Sequence, residues 1–352
     1  MKALIPIFIL GLFFSKTGSA TIESSTESIQ TSRLFQEALR PLGTPTDAEN
    51  AALARALNSI QEARTQVSPS DYATVELSGL ERFLQAYPRS AWRIALYTNL
   101  GIESYQRGRF SRALRYWRAA WDGGKASDDR GIKPLVDRAL GELARMYARL
   151  GMMPEIESLV REAGDRTLTG APQEMFSSAR QGLWQMQHEP EKSFKCGPFA
   201  LGNILALQDP GNTLHDRILN YPSTVRGTSL AELDRLAKAA GFVAIPIYRR
   251  PGTEIPVPSV VHWKLGHFGA IVEKRGTRYL LQDPTFVTRQ WIDQSVLDEE
   301  TSGNFLILNE SRDLPQGWLA LSETQASQIW GKGDTGGGNG GGCGGNDPSG
   351  GG

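Results

Sequence analysis

The sequence changes texture once, near residue 187, and that change limits what the chain can fold into. From about 32 to 186, Ala, Leu, Arg and Glu dominate, and glycine and proline fall at punctuation points. Such a stretch reads as helices joined by short turns. After a Pro/Lys-rich joint at 188–195, two helical patterns are expected, at 196–207 and 230–240. Thr228 and Ser229 cap the second, and Gly241 stops it. Short strands should follow at 243–247, 259–263, 269–273 and 278–282. Helices first and strands afterward indicate an α+β chain, and 352 residues suit two domains.

The helical part carries a finer pattern. Tyr97 and Leu100-Gly101 lead into Tyr105, Gly108, Phe110, Ala113, Trp117 and Ala120. Small residues at this spacing let two antiparallel helices approach, while large ones fill the groove between them. The pattern resembles a tetratricopeptide-type hairpin. A second copy reads Leu143-Ala144, Tyr147, Gly151 and Val160, and Gly108 and Gly151 lie 43 residues apart. The standard period is about 34, and a polar insert at 122–130 accounts for the excess. The run 80–84 reads as the second helix of a preceding repeat. Residues 32–186 are therefore expected to form tetratricopeptide-like helical repeats, whose concave faces usually bind peptides or protein partners.

The two ends differ from the middle. Met1-Lys2, an apolar run at 3–14 and Gly18-Ser19-Ala20 read as a signal peptide over 1–20. The apolar run is too short to span a bilayer, and no later stretch is apolar for long enough. An exported protein, periplasmic or extracellular, is expected, with a flexible polar leader at 21–31. Residues 326–352 read as a Gly-rich disordered tail, because 336–352 holds eleven glycines.

Composition excludes several classes. With 38 basic and 38 acidic side chains, the chain lacks the basic excess of a nucleic-acid binder. Two cysteines, Cys196 and Cys343, are too few for a disulfide framework. No phosphate-binding G-x-x-x-x-G-K-[ST] loop occurs, so ATP is not expected. No His/Cys/carboxylate cluster has metal-ligand spacing, and no cofactor is implied.

One thiol remains worth attention. Cys196 opens an apolar helix, where unpaired backbone N–H groups and the positive end of the dipole favour a thiolate. Gly197 beside it leaves room for a substrate. A nucleophilic thiol needs a base, and the chain has four histidines: His188, His215, His262 and His267. His188 lies in the joint and His215 in a polar loop. A two-residue turn at Arg275-Gly276 would place Phe268 opposite Asp283 and His267 opposite Pro284. His267 and Asp283 then meet at the open end of one hairpin. His262 lies about 16 Å further back along an extended strand. A thiol nucleophile, His267 as base and Asp283 as its orienter form a Cys-His-acid arrangement.

In chain order these residues stand in Lys195-Cys196-Gly197-Pro198-Phe199, Gly227-Thr228-Ser229-Leu230, His262-Trp263, His267-Phe268-Gly269-Ala270 and Gln282-Asp283-Pro284. This series, over about 187–310, resembles the papain-like peptidase domain of bacteriocin-processing, peptide-exporting ABC transporters, which cleave leader peptides after a double glycine. The resemblance implies a papain-like domain over 187–325, cutting peptides after Gly-Gly. It makes Cys196 the nucleophile, His267 the base and Asp283 the orienting acid. The family also places a Gln six residues before the cysteine, in the oxyanion hole. That position is Pro190 here, and a three-residue insertion would bring Gln187 into its place. A domain of this type without turnover, binding proteins together with the repeats, is the alternative. The Gly-Gly pairs of the tail raise the further expectation that it is either a linker or a segment able to enter the protein's own cleft.

Overall fold

The computed structural model describes residues 26–333, apart from 210, 212–214, 284, 287 and 310–312. The expected signal peptide, Pro284 and Cys343 therefore lie outside the described residues.

The N-terminal region is helical. Helices Arg93–Gln106 and Phe110–Gly124 pack as an antiparallel hairpin, and Lys133–Arg149 with Met153–Ala163 forms another. Each hairpin turns at a glycine with positive φ, Gly108 at +75° and Gly151 at +65°. That conformation costs glycine little and other residues much. Close helix approach is visible at Gly101, where a Cβ would fall 2.3 Å from Trp117 Nε1. Gly101→Ala is thus expected to destabilise the fold by about 1–3 kcal/mol through overpacking. An unchanged urea midpoint would show that the helices can separate without cost.

The region starts earlier than expected. Thr26–Gln30, inside the segment read as a flexible leader, is a short helix with Ile29 buried. Asn50 Nδ2 donates to Thr26 Oγ1 at 3.0 Å, so apolar burial and a polar tie both anchor it.

Residues beyond 187 build an antiparallel sheet. Its strand order is Thr288–Asp293, Arg278–Asp283, His267–Arg275, Ser259–Trp263, Thr301–Leu308, Ala244–Arg249 and Trp318–Ala320. Alternation assigns the two faces. Val260, Phe268, Ala270 and Leu306 pack on helices Cys196–Gln208 and Leu230–Ala239. Val261, Trp263, Ile271, Phe305 and Ile307 face the other way and join the core of the helical region. The two regions meet there through rings: Phe110 stacks on Phe286 at 4.3 Å and meets Trp263 edge-on at 5.1 Å. Ser111 N and Oγ both donate to the Glu300 carboxylate, at 2.9 and 2.8 Å.

The hairpin register differs from the expected one. Arg275 pairs with Arg278, so the turn is Gly276-Thr277, and a bulge follows between Ile271 and Glu273. Gly276 takes φ +59°, which fixes the turn one position later than Arg275-Gly276.

The segment read as tail from 326 also differs. Ser322 and Gln325 form a capping box on helix Glu323–Ala326, whose Ala326 is buried. Strand Trp330–Gly331 then pairs with Thr228–Ser229. The remaining tail, 334–352, lies outside the described residues.

Candidate active site

Cys196 is the first residue of helix Cys196–Gln208 and is buried. The helix is apolar on all sides because it runs between the sheet, helix Leu230–Ala239 and the strand Thr228–Ser229. Gly197 serves this packing. A Cβ there would come 3.1 Å from Leu233 and 3.3 Å from Phe268, so its bareness admits the helix rather than a substrate.

His267 opens the strand that this helix packs on. The tight connection from Trp263 turns at Gly266, at φ +70°. His267 Nε2 and Asp283 Oδ2 are 2.7 Å apart, and both side chains are fully buried. Asp283 also ends its strand: Oδ1 accepts from Thr285 N at 3.0 Å. The bond to Thr285 N and the pairing with His267 therefore use different oxygens of one carboxylate. Gly269 keeps the way open, since a Cβ there would lie 2.9 Å from Asp283 Oδ2.

Burial alone would drive the His267 proton off. The Asp283 carboxylate outweighs it, with help from the adjacent Cys196, and the imidazole is pushed up to about 10. With Nε2–H given to Asp283, the nitrogen left to exchange protons is Nδ1, which has no hydrogen-bond partner among the described residues. Phe286 covers the ring edge-on at 4.9 Å and in turn rests on Phe110. The helical region thus backs the histidine through one aromatic step.

His262 has a different task. Its Nδ1 lies 2.8 Å from Ser302 Oγ and its Nε2 2.9 Å from the Trp330 carbonyl. Burial pushes this imidazole down to about 4, so it is neutral at neutral pH. A carbonyl can only accept, which puts the proton on Nε2 and leaves Nδ1 to accept from the hydroxyl.

Gln187 is not in the site. It lies on the exposed end of helix Ala171–His188, and its Nε2 donates to Glu157 Oε1 at 2.8 Å. The joint continues as helix Pro190–Ser193, which absorbs the extra residues without carrying Gln187 toward the sulfur. Pro190 has neither a side-chain donor nor a backbone N–H. His188 stays with its own helix, stacked on Trp184 at 4.5 Å.

The sulfur does accept a hydrogen bond, from an unexpected residue. Gly333 N donates to Cys196 Sγ at 3.1 Å. The strand leading there crosses a wall made by both regions. A Cβ at Gly227 would lie 2.0 Å from Gly331 O, and one at Gly151 would lie 2.2 Å from Lys332 O. Composition places this segment in the tail, because the glycines of 336–352 follow it without a break in texture. The available signal was the Ser322-Glu323-Thr324-Gln325 capping box.

Residues 187–313 match the family model described as Peptidase C39 family. Among solved structures, the chain is similar to a double glycine motif protease from an AMS/PCAT transporter, crystallised in complex with the leader peptide. That match has 21% sequence identity, covers 32% of this chain and 81% of the other, and has a TM-score of 0.29. No curated protein matches. The C-terminal part of the chain is thus similar to cysteine peptidases, and it follows a helical region.

Proposed function

We propose that the domain hydrolyses peptide bonds with Cys196 as nucleophile, His267 as acid and base, and Asp283 as the group that orients the ring. The observation carrying this reading is the buried His267–Asp283 pair, with Nδ1 left free beside Cys196. The sulfur attacks a peptide carbonyl carbon, and the imidazolium gives its Nδ1 proton to the departing amine. Water then attacks the thioester, neutral His267 takes its proton, and the sulfur leaves as thiolate, which restores the thiolate–imidazolium pair. The backbone N–H of Cys196 at the helix start supplies an oxyanion donor. The cut is taken to follow Gly-Gly, and one position that demands glycine supports a bare residue in the groove: Phe268 leaves no room for a Cβ at Gly331. The helical region recruits the substrate or a protein partner, and the protein acts after export, with residues 1–20 removed.

The test follows from the raised imidazole. A folded value above the ordinary 6.5 means that the catalytic proton persists through neutral pH and is lost as pH rises toward about 10. The stability contribution has the same sign, fully present below 6.5 and lost on the alkaline side. The basic limb of kcat/KM against a Gly-Gly peptide is expected well above 6.5. A limb at the ordinary imidazole value would contradict the Asp283 coupling.

One observation favours a second reading, a protein-binding domain without turnover. Gln187 pairs with Glu157, so the side-chain donor expected in the oxyanion hole is displaced. Losing such a donor costs roughly 10²–10³ in rate. Peptide binding with no measurable hydrolysis, at any pH and with the cleft open, would select that reading.

A further inference from the structure

We infer that the protein's own segment Ile329 to Gly333 occupies the peptide groove and holds the thiol closed, so that a substrate must displace it. This rests on the peptidase reading for what the groove serves, though not for what fills it.

The segment is held along its length. Leu230 N donates to Ile329 O at 2.8 Å, and Trp330 and Gly331 pair with Ser229 and Thr228. His262 holds the Trp330 carbonyl. Lys332 N donates to Gly266 O at 3.0 Å, the residue just before His267. Gly333 N then reaches the sulfur. This is strand addition, in which backbone hydrogen bonds give affinity and pockets give selectivity.

Glycine is required on both sides. A Cβ at Gly331 would lie 2.4 Å from Phe268 Cδ2, and one at Gly333 would lie 2.2 Å from His267 Nδ1. Gly227 and Gly151 clear the facing wall, as described above. The backbone therefore lies where only a chain without side chains at 331 and 333 can lie.

The pose is blocked rather than reactive. The sulfur sits at the N–H edge of the Lys332–Gly333 peptide. Attack on a carbonyl carbon needs approach from above the peptide plane. The hydrogen bond instead uses the sulfur lone pair, and Gly333 lies beside the nitrogen that would carry the proton, where an added Cβ would fall 2.2 Å from it. Displacement of the strand frees Sγ and opens the space beside Nδ1.

The test uses the full chain and two variants, Gly331→Val and Gly333→Val, each with its melting curve. Iodoacetamide labelling is followed at Cys196 by peptide mapping, beside hydrolysis of a Gly-Gly peptide. If the open form is a minor state of 10% or less, both variants should label Cys196 at least about tenfold faster. Equal labelling of variant and unmodified chains would overturn the inference. So would accumulation of an unmodified chain ending at Lys332, because the strand would then be a substrate and not a block. Faster labelling without hydrolysis in any form would uphold the strand and sink the peptidase reading. Should a variant fail to fold, hydrogen exchange in the unmodified chain decides. Slow exchange at Leu230, Lys332 and Gly333 is expected, and exchange at the rate of free peptide at Lys332 and Gly333 would overturn it.

Discussion

Cys196→Ala is expected to abolish peptide hydrolysis, by on the order of 10⁴-fold or more, while leaving the fold intact. In the proposed mechanism the thiol supplies the attacking atom, and nothing replaces it. Stability should change little. Cys196 is buried, and removing one sulfur-sized group costs on the order of 1 kcal/mol, at the scale of a buried methylene. In a chain of this size that is a thermal shift of about a few degrees. The variant also loses the acceptor of the Gly333 N–H, an effect on the strand rather than on the core. A fall in midpoint far beyond this, with hydrolysis retained, would mark Cys196 as a packing residue and nothing more.

His267→Ala should cost on the order of 10²–10⁴ in kcat/KM, and far more than His262→Ala. The two rings lie close in sequence, yet their surroundings separate them. His267 is buried against Asp283 and pushed up, so it carries a transferable proton. His262 is pushed down and spends its N–H on the Trp330 carbonyl. His262→Ala loosens the strand that covers the sulfur and leaves the proton path alone. Equal losses in the two variants, measured as kcat/KM at pH 7, would mean that His267 acts only through packing.

How much of this was legible in the sequence depends on the range of each signal. Cys196 at a helix start and the cap at Ser229 are local patterns, and local patterns survive without coordinates. The meeting of His267 and Asp283 was legible too, although through a register one position off. The turn sits at Gly276-Thr277, and the bulge near Val272 partly compensates for the shift. A bulge leaves no mark in hydrophobic alternation. Strand Thr301–Leu308 was missed, although it lies in the middle of the sheet. Its first half, Thr-Ser-Gly-Asn, is polar and includes a glycine that takes φ +84°. Trp318–Ala320 is a three-residue edge strand, too short for any period to show. Gln187 was placed by counting back from the cysteine. The count could not show that Glu157, thirty residues earlier, would take its amide. The last miss has the plainest cause. The tail was set to begin at 326 on the strength of the glycines at 336–352, whereas glycine at 331 and 333 is what lets the backbone pass under Phe268 and His267.

The central claim is that His267 activates Cys196 for attack on a peptide carbonyl. A peptide probe ending in Gly-Gly and a thiol-reactive group tests it directly, with the adduct mapped to Cys196. The comparison is made in the Gly333→Val chain, where the strand is displaced, with and without His267→Ala. The account predicts an adduct at Cys196 in the first, forming at least about a hundredfold faster than in the second, the low end for loss of a general acid–base. Equal rates in the two chains would show a thiol that His267 does not activate, and would contradict it.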